Sequence, residues 1–214
     1  MLSALIAPAM VVAISPFSIV AAVVLLLHTD RPRPNGIAFL IGRLAGLAAV
    51  TAAFIQAPRL LGGLNRPIQP ALLVAIGALL LIGGAWIWIR RESFIQEPRW
   101  LQRLNRITPV GAGAIGAFLV LSNPKMLAAN AAAGLVIGAA GLGAAGAGLA
   151  VAYYSAVASS TVAVPVLAYA VVGGRVDGQL TRVKDWMQRR HAAISAVVLV
   201  VVGAALMVAG LLGA

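Results

Sequence analysis

The sequence predicts an all-α integral membrane protein: six transmembrane helices forming two inverted three-helix repeats, with helices 1 and 4 broken. Three observations carry this. The 214 residues are 62% hydrophobic and only 10% charged, whereas charged residues make up roughly a quarter of a soluble domain. The basic residues are gathered into a few short segments between apolar runs, and two of those runs carry a polar residue followed by proline in their interior. The absence of cysteine removes disulfides, thiolate metal sites and cysteine nucleophiles from consideration.

Charges divide the chain into apolar runs at 2–27, 37–58, 70–89, 107–174 and 191–214. The first has no basic segment before it, so it reads as a span and not as a cleaved signal. The next two each have the length of one pass, about 20 residues for a ~30 Å hydrocarbon core. The fourth, at 68 residues, must hold at least two passes. Its Gly-rich stretch from Gly138 to Gly148 is the expected turn. The last run completes six.

The charge of +11 tests this count. With six spans, Arg31 and Arg33, the five arginines from Arg90 to Arg106, and the five basic residues from Arg175 to Arg190 share one side, twelve in all. Arg59 and Arg66 face the other side alone. A seventh span, made by a full turn at Asn123-Pro124-Lys125, would leave seven against eight. Short cytoplasmic loops carry the Lys/Arg excess, so six spans with both termini outside is the expected topology. The basic charge then orients the protein and is not a nucleic-acid surface, since no binding motif surrounds it. The segments 97–106 and Gly178 to Arg190 are expected to be short amphipathic helices, with Trp100 and Trp186 at headgroup level. Ordinary helical flanks are the alternative.

The spans divide into residues 1–106, the first repeat with its cytoplasmic loop, and 107–214, the second, within one membrane domain. Odd-numbered halves face opposite ways across a bilayer, as in secondary transporters whose sites lie where corresponding helices break. Ser15-Pro16 in span 1 and Asn123-Pro124 in span 4, 108 residues apart, are the candidate breaks. Residues 107–139 would make about 50 Å of continuous helix, too long for one straight pass. Pro124 removes a backbone donor, and Asn123 can satisfy freed backbone groups. Gly42-x-x-x-Gly46 and Gly134-x-x-x-Gly138 permit close helix contact. Packing within one subunit is the default use of these faces, and a homodimer is the other.

Two cations interrupt the spans. Arg43 lies about 10 Å of helix from the cytoplasmic loop, so its side chain is expected to snorkel to the headgroups. Lys125 is deep, beside the Asn123-Pro124 break, and is a functional candidate. All five acids sit in or beside loops, which leaves Lys125 free for a phosphate, sulfate or carboxylate and suits a metal pathway badly. His28 and His191 read as interfacial polar residues. No motif for nucleotide binding, hydrolysis or metalloprotease chemistry is present, so neither an enzyme nor a cofactor is expected. A transporter of this kind would run down a gradient, couple through Lys125 or the histidines, or work with an energised partner.

The order Ile14-Ser15-Pro16-Phe17-Ser18-Ile19, His28-Thr29-Asp30-Arg31-Pro32-Arg33-Pro34-Asn35-Gly36, Ala38-Phe39-Leu40-Ile41-Gly42-Arg43 and Leu121-Ser122-Asn123-Pro124-Lys125-Met126-Leu127 resembles the Sap family. These are sulfolipid- and glycopeptidolipid-addressing proteins of actinobacteria, similar to the wider LysE superfamily of six-span transporters. The likeness covers nearly the whole chain. It implies an inner-membrane protein that helps (glyco)lipids reach the cell surface beside a larger lipid exporter. Carried over by position, Ser15, Pro16, Asn123, Pro124 and Lys125 would be its central substrate-binding features, joined by Arg43. The family usually has Gly-Trp where this sequence has Gly42-Arg43, so Arg43 is an added cation.

The expected function is translocation, or assisted translocation, of a lipid with an anionic head group. The head group would meet Lys125, with hydrogen bonds from Ser15 and Asn123, and Arg43 would be a second anion contact or a cytoplasmic gate. Two other readings stand: a LysE-like exporter of an amino acid or ion, and a scaffold for a lipid exporter that transports nothing itself.

Overall fold

The computed structural model describes residues 2–60 and 107–212, with helical positions 78, 81, 82, 85, 88 and 89 between them. Most of the expected third span, and the segment 97–106, lie outside the described residues. Those described are helical throughout: α1 (Leu2–Ala13), α2 (Pro16–His28), α3 (Pro32–Leu60), α4 (Pro109–Ser122), α5 (Pro124–Ala139), α6 (Ala144–Val172), a 3₁₀ turn (Gly173–Val176) and α7 (Asp177–Leu212).

Proline sets most of the boundaries. It opens α2, α3, α4 and α5, where a missing N–H costs nothing and a fixed φ already suits the helix. It also drives the preceding residue out of helical geometry. Ser15 (φ −97°, ψ 102°) and Asn123 (φ −101°, ψ 110°) are extended for this reason. The two breaks therefore fall where the sequence placed them. The axis bends by 51° between α1 and α2, and by 78° between α4 and α5. The expected turn in the Gly-rich stretch is residues 140–143, with Gly141 at φ +63° between α5 and α6.

Among the described residues, the stretches Pro32–Gln56 and Ala144–Met187 are long and apolar enough to cross a membrane; counting each bent pair as one span gives four. For the last apolar run, the alternative of ordinary helical flanks holds and the separate amphipathic helix does not. Gly178 to Arg190 is not a separate short helix but the beginning of α7, which runs unbroken to Leu212. No Gly or Pro interrupts residues 179–202, so nothing ends the helix where its charge stops. Leu180 and Met187 pack into the core beside α2, while Val183 between them is exposed.

α3 is the spine of the assembly. Gly42 faces the backbone of Gly113 so closely that no Cβ would fit, and Gly116 stands in the same relation to the carbonyl of Phe39. Further along, Gly134 meets Phe54 and the Thr51 carbonyl, and Gly138 meets Ile55. Both small-residue motifs are thus used within the subunit, holding α3 along α4 and then α5.

The buried apolar residues form two clusters. One joins α2, Phe39, Ala112, Leu119, Val162, Val166, Tyr169, Leu180 and Met187. The other joins Leu5, Ala9 and Val12 of α1 to Leu47 and Val50 of α3, Met126 to Ile137 of α5, and Ala150, Tyr154 and Ala158 of α6. At the end nearer the first cluster, three connections meet. Asn35 Nδ2 donates to the Ile107 carbonyl at 3.2 Å, and the Arg33 guanidinium lies over Gly173. The α2–α3 corner, the entry to α4 and the α6–α7 junction therefore share one end.

Candidate functional site between the two breaks

The first break leaves carbonyls without helical donors. Pro16 has no N–H to offer the carbonyl of Val12, four residues back. Arg43 supplies the substitute: Nη2 donates to Val12 O at 3.2 Å and to Ala158 O at 3.4 Å, and Nη1 donates to Ser18 Oγ at 2.7 Å. The next carbonyl, Ala13 O, accepts from Thr161 Oγ1 at 2.6 Å. A guanidinium at the C-terminal end of α1 also sits where the helix dipole favours a cation.

This corrects the expectation for Arg43. The side chain does not snorkel; it is fully buried, 0% exposed. The distance to the loop along α3 was short, but α1, α2 and α6 surround the residue and offer three oxygens that α3 alone could not. Ser15 is buried beside it as the N-cap of α2, without a side-chain capping bond.

The second break is built differently. Asn123 Oδ1 accepts from the backbone N–H of Lys125 at 3.1 Å and so caps α5, whose first residue is Pro124. Lys125 is half-buried, and its ammonium has no hydrogen-bond or ion-pair partner among the described residues. Its charged neighbour is Arg43. Deeper in α5, Asn130 Nδ2 donates to Met126 O at 2.6 Å, and Asn130 Oδ1 accepts from Thr51 Oγ1 at 2.9 Å. α1 packs against α5, so the two broken segments meet in one cluster. His28 is exposed in the last turn of α2, and the side chain of His191 lies outside the described residues.

The polar residues fall between the two apolar clusters. Arg43 is one turn from Phe39 in one cluster and one turn from Leu47 in the other; Ser15 and Ser18 lie between Val12 and Ile19, and Ser159 between Ala158 and Val162. Within and beside this layer, Arg43 Nε, Tyr154 OH, Ser155 Oγ and Ser159 Oγ are buried without partners. Each such atom costs about 1–3 kcal/mol, so four of them together make the layer polar space inside an apolar molecule. Tyr154, Ser155, Ser159 and Thr161 carry no charge and went unnoticed in the sequence, and Ser18 entered only as part of the family motif. The signal of the α6 residues was a second polar patch in the long apolar run, Tyr153-Tyr154-Ser155 and Ser159-Ser160-Thr161. No cluster of metal-ligating side chains occurs among the described residues.

No curated protein and no solved structure matches the chain. A family model does, over residues 5–212, and on that match the chain belongs to the family described as SfLAP: Sap, sulfolipid-1-addressing protein.

Proposed function

We propose that the protein is an inner-membrane transporter, or an accessory to one, that moves (glyco)lipids with an anionic head group toward the cell surface. It would be a six-span inverted repeat of LysE type with both termini outside the cytoplasm. The observation that carries this reading is the partnerless ammonium of Lys125 at a helix break, beside a polar layer between two apolar cores. A cation in membrane without a carboxylate partner is costly unless a ligand or water completes it, and a lipid phosphate or sulfate supplies that charge. The acyl chains would remain in lipid along a groove between the two halves. The partner implied is a larger lipid exporter.

The six-span topology has geometric support. The α2–α3 corner, Ile107 at the entry to α4 and the α6–α7 junction share one end, as required if an even number of crossings separates each from the next. A full turn between α4 and α5 would send the α6–α7 junction to the other end. The repeat has support in the sequence of elements, since each bent pair is followed by a long helix that packs against the other bent pair.

Purified protein in liposomes tests the function. Flipping of a labelled anionic lipid by the native chain, abolished by Lys125→Gln with protein yield unchanged, is the expected result. Intact lipid movement in Lys125→Gln rejects the role given to that residue. Uptake of labelled amino acid or ion, with no lipid movement, would favour a small-solute exporter, and no activity with stable capture of a lipid exporter would favour a scaffold.

A further inference from the structure

At the end of the bundle where the basic connections meet, Arg31, Pro32, Arg33, Pro34, Tyr169, Gly173 and Gly174 line an open cleft of ≈ 380 Å³. It is separate from the layer around Arg43 and belongs to no part of the function proposed above. Gly173 has φ +67°, a conformation that side chains other than glycine's adopt with strain. The bare backbone there lets Arg33 lie across it, with Nη2 only 3.1 Å from the place a Cβ would occupy. Tyr169 is buried behind the cleft, with Arg33 and Asp177 as its charged neighbours. Asp177, in the first turn of α7, holds its carboxylate 3.2 Å from the place a Cβ on Gly174 would occupy, and it does not line the cleft. Neither the Arg31 nor the Arg33 guanidinium forms an ion pair or hydrogen bond among the described residues.

We infer that this cleft binds the phosphodiester head group of an anionic phospholipid, clamped between Arg31 and Arg33 and backed by the glycine wall of Gly173 and Gly174. Guanidinium groups suit phosphate oxygens because their donors are planar and paired. The lipid source, as opposed to free phosphate, follows from what adjoins the cleft. Val171 and Val172 on α6 and Ile37 on α3 are exposed apolar side chains within one turn of its lining residues, so acyl chains have a surface to follow. A bound head group would tie the α2–α3 corner to the α6–α7 junction, joining the two halves of the chain.

The test is lipid binding by the full-length protein in detergent, read by native mass spectrometry and by thermal stability. Phosphatidylglycerol should bind and stabilise, and phosphatidylcholine with the same chains should do neither. The double variant Arg31→Gln, Arg33→Gln should weaken phosphatidylglycerol binding about tenfold, and Gly173→Ala should weaken it with both arginines still present. The double variant Arg182→Gln, Lys184→Gln removes equal charge from α7 and should leave binding unchanged. The inference is overturned if both double variants lose binding equally, or if the two lipids bind alike. Inorganic phosphate protecting as well as phosphatidylglycerol would overturn the lipid assignment in favour of a free anion. Unchanged stability of each variant without lipid shows that folding is not the cause.

Discussion

Arg43 donates to the carbonyl of Val12, the acceptor that Pro16 leaves without its helical donor. One residue of α3 thus repairs a break between α1 and α2, and the same guanidinium reaches Ser18 and Ala158. Replacement Arg43→Gln should lower stability by about 2–3 kcal/mol, the scale of a charge-assisted hydrogen bond and the acceptors it strands. Arg43→Lys should recover only part, because one ammonium cannot span the three oxygens. Thermal unfolding in detergent measures both, and an unchanged midpoint for Arg43→Gln would sink the repair role.

Pro16→Ala restores an N–H that can bond Val12 and straighten the bend. Stability is expected to hold or rise, while lipid movement in liposomes falls about tenfold if the break is the working element. Activity at the native level with a straightened helix would show that the break serves only packing.

The approach of Gly42 to Gly113 leaves no room for a side chain. Gly42→Val should force α3 from α4 and cost more than about 3 kcal/mol, among the largest single effects in the protein. Gly148→Ala, where a Cβ meets nothing, should be neutral, and comparing their melting temperatures isolates the contact.

Thr51→Val removes the donor to Asn130 while keeping the shape of the side chain. The expected cost is about 1 kcal/mol, near the usual value for an interhelical hydrogen bond in a membrane. A double-mutant cycle with Asn130→Ala checks it: no coupling between the two positions would dismiss the bond.

A chain without cysteine is ready for single-cysteine labelling. Arg31→Cys and Arg175→Cys should react with an impermeant thiol reagent from one side of the membrane, and Leu142→Cys from the other. Labelling of all three from one face would reject the six-span topology.

Much of this architecture was legible because its causes are local. A proline conditions its own N–H and the residue before it, so Ser15-Pro16 and Asn123-Pro124 announced both bends, and Gly42 and Gly134 announced close contacts. The fate of Arg43 was not legible in the same way. Its partners are 25, 31 and 115 residues away in sequence, and a count of helix turns to the nearest loop says nothing of oxygens brought by other helices. Tyr154, Ser155 and Ser159 were missed for a related reason: a hydroxyl in an apolar helix becomes conspicuous only when its burial without a partner is known. The long α7 bears out the helical-flank alternative over the separate short helix, because no Gly or Pro ends the helix where its charge stops.

Each apolar cluster draws side chains from both halves of the chain, and this bears on how the protein is made. While residues 1–106 are inserted, α1, α2 and α3 have no second half to close against, and Arg43 can reach Val12 and Ser18 but not Ala158. Neither core can be completed until α6 emerges, and Ala158 follows Arg43 by 115 residues; the first core also waits for Leu180 and Met187 of α7. The polar contacts of Arg43 are therefore completed only when both halves of the chain are present.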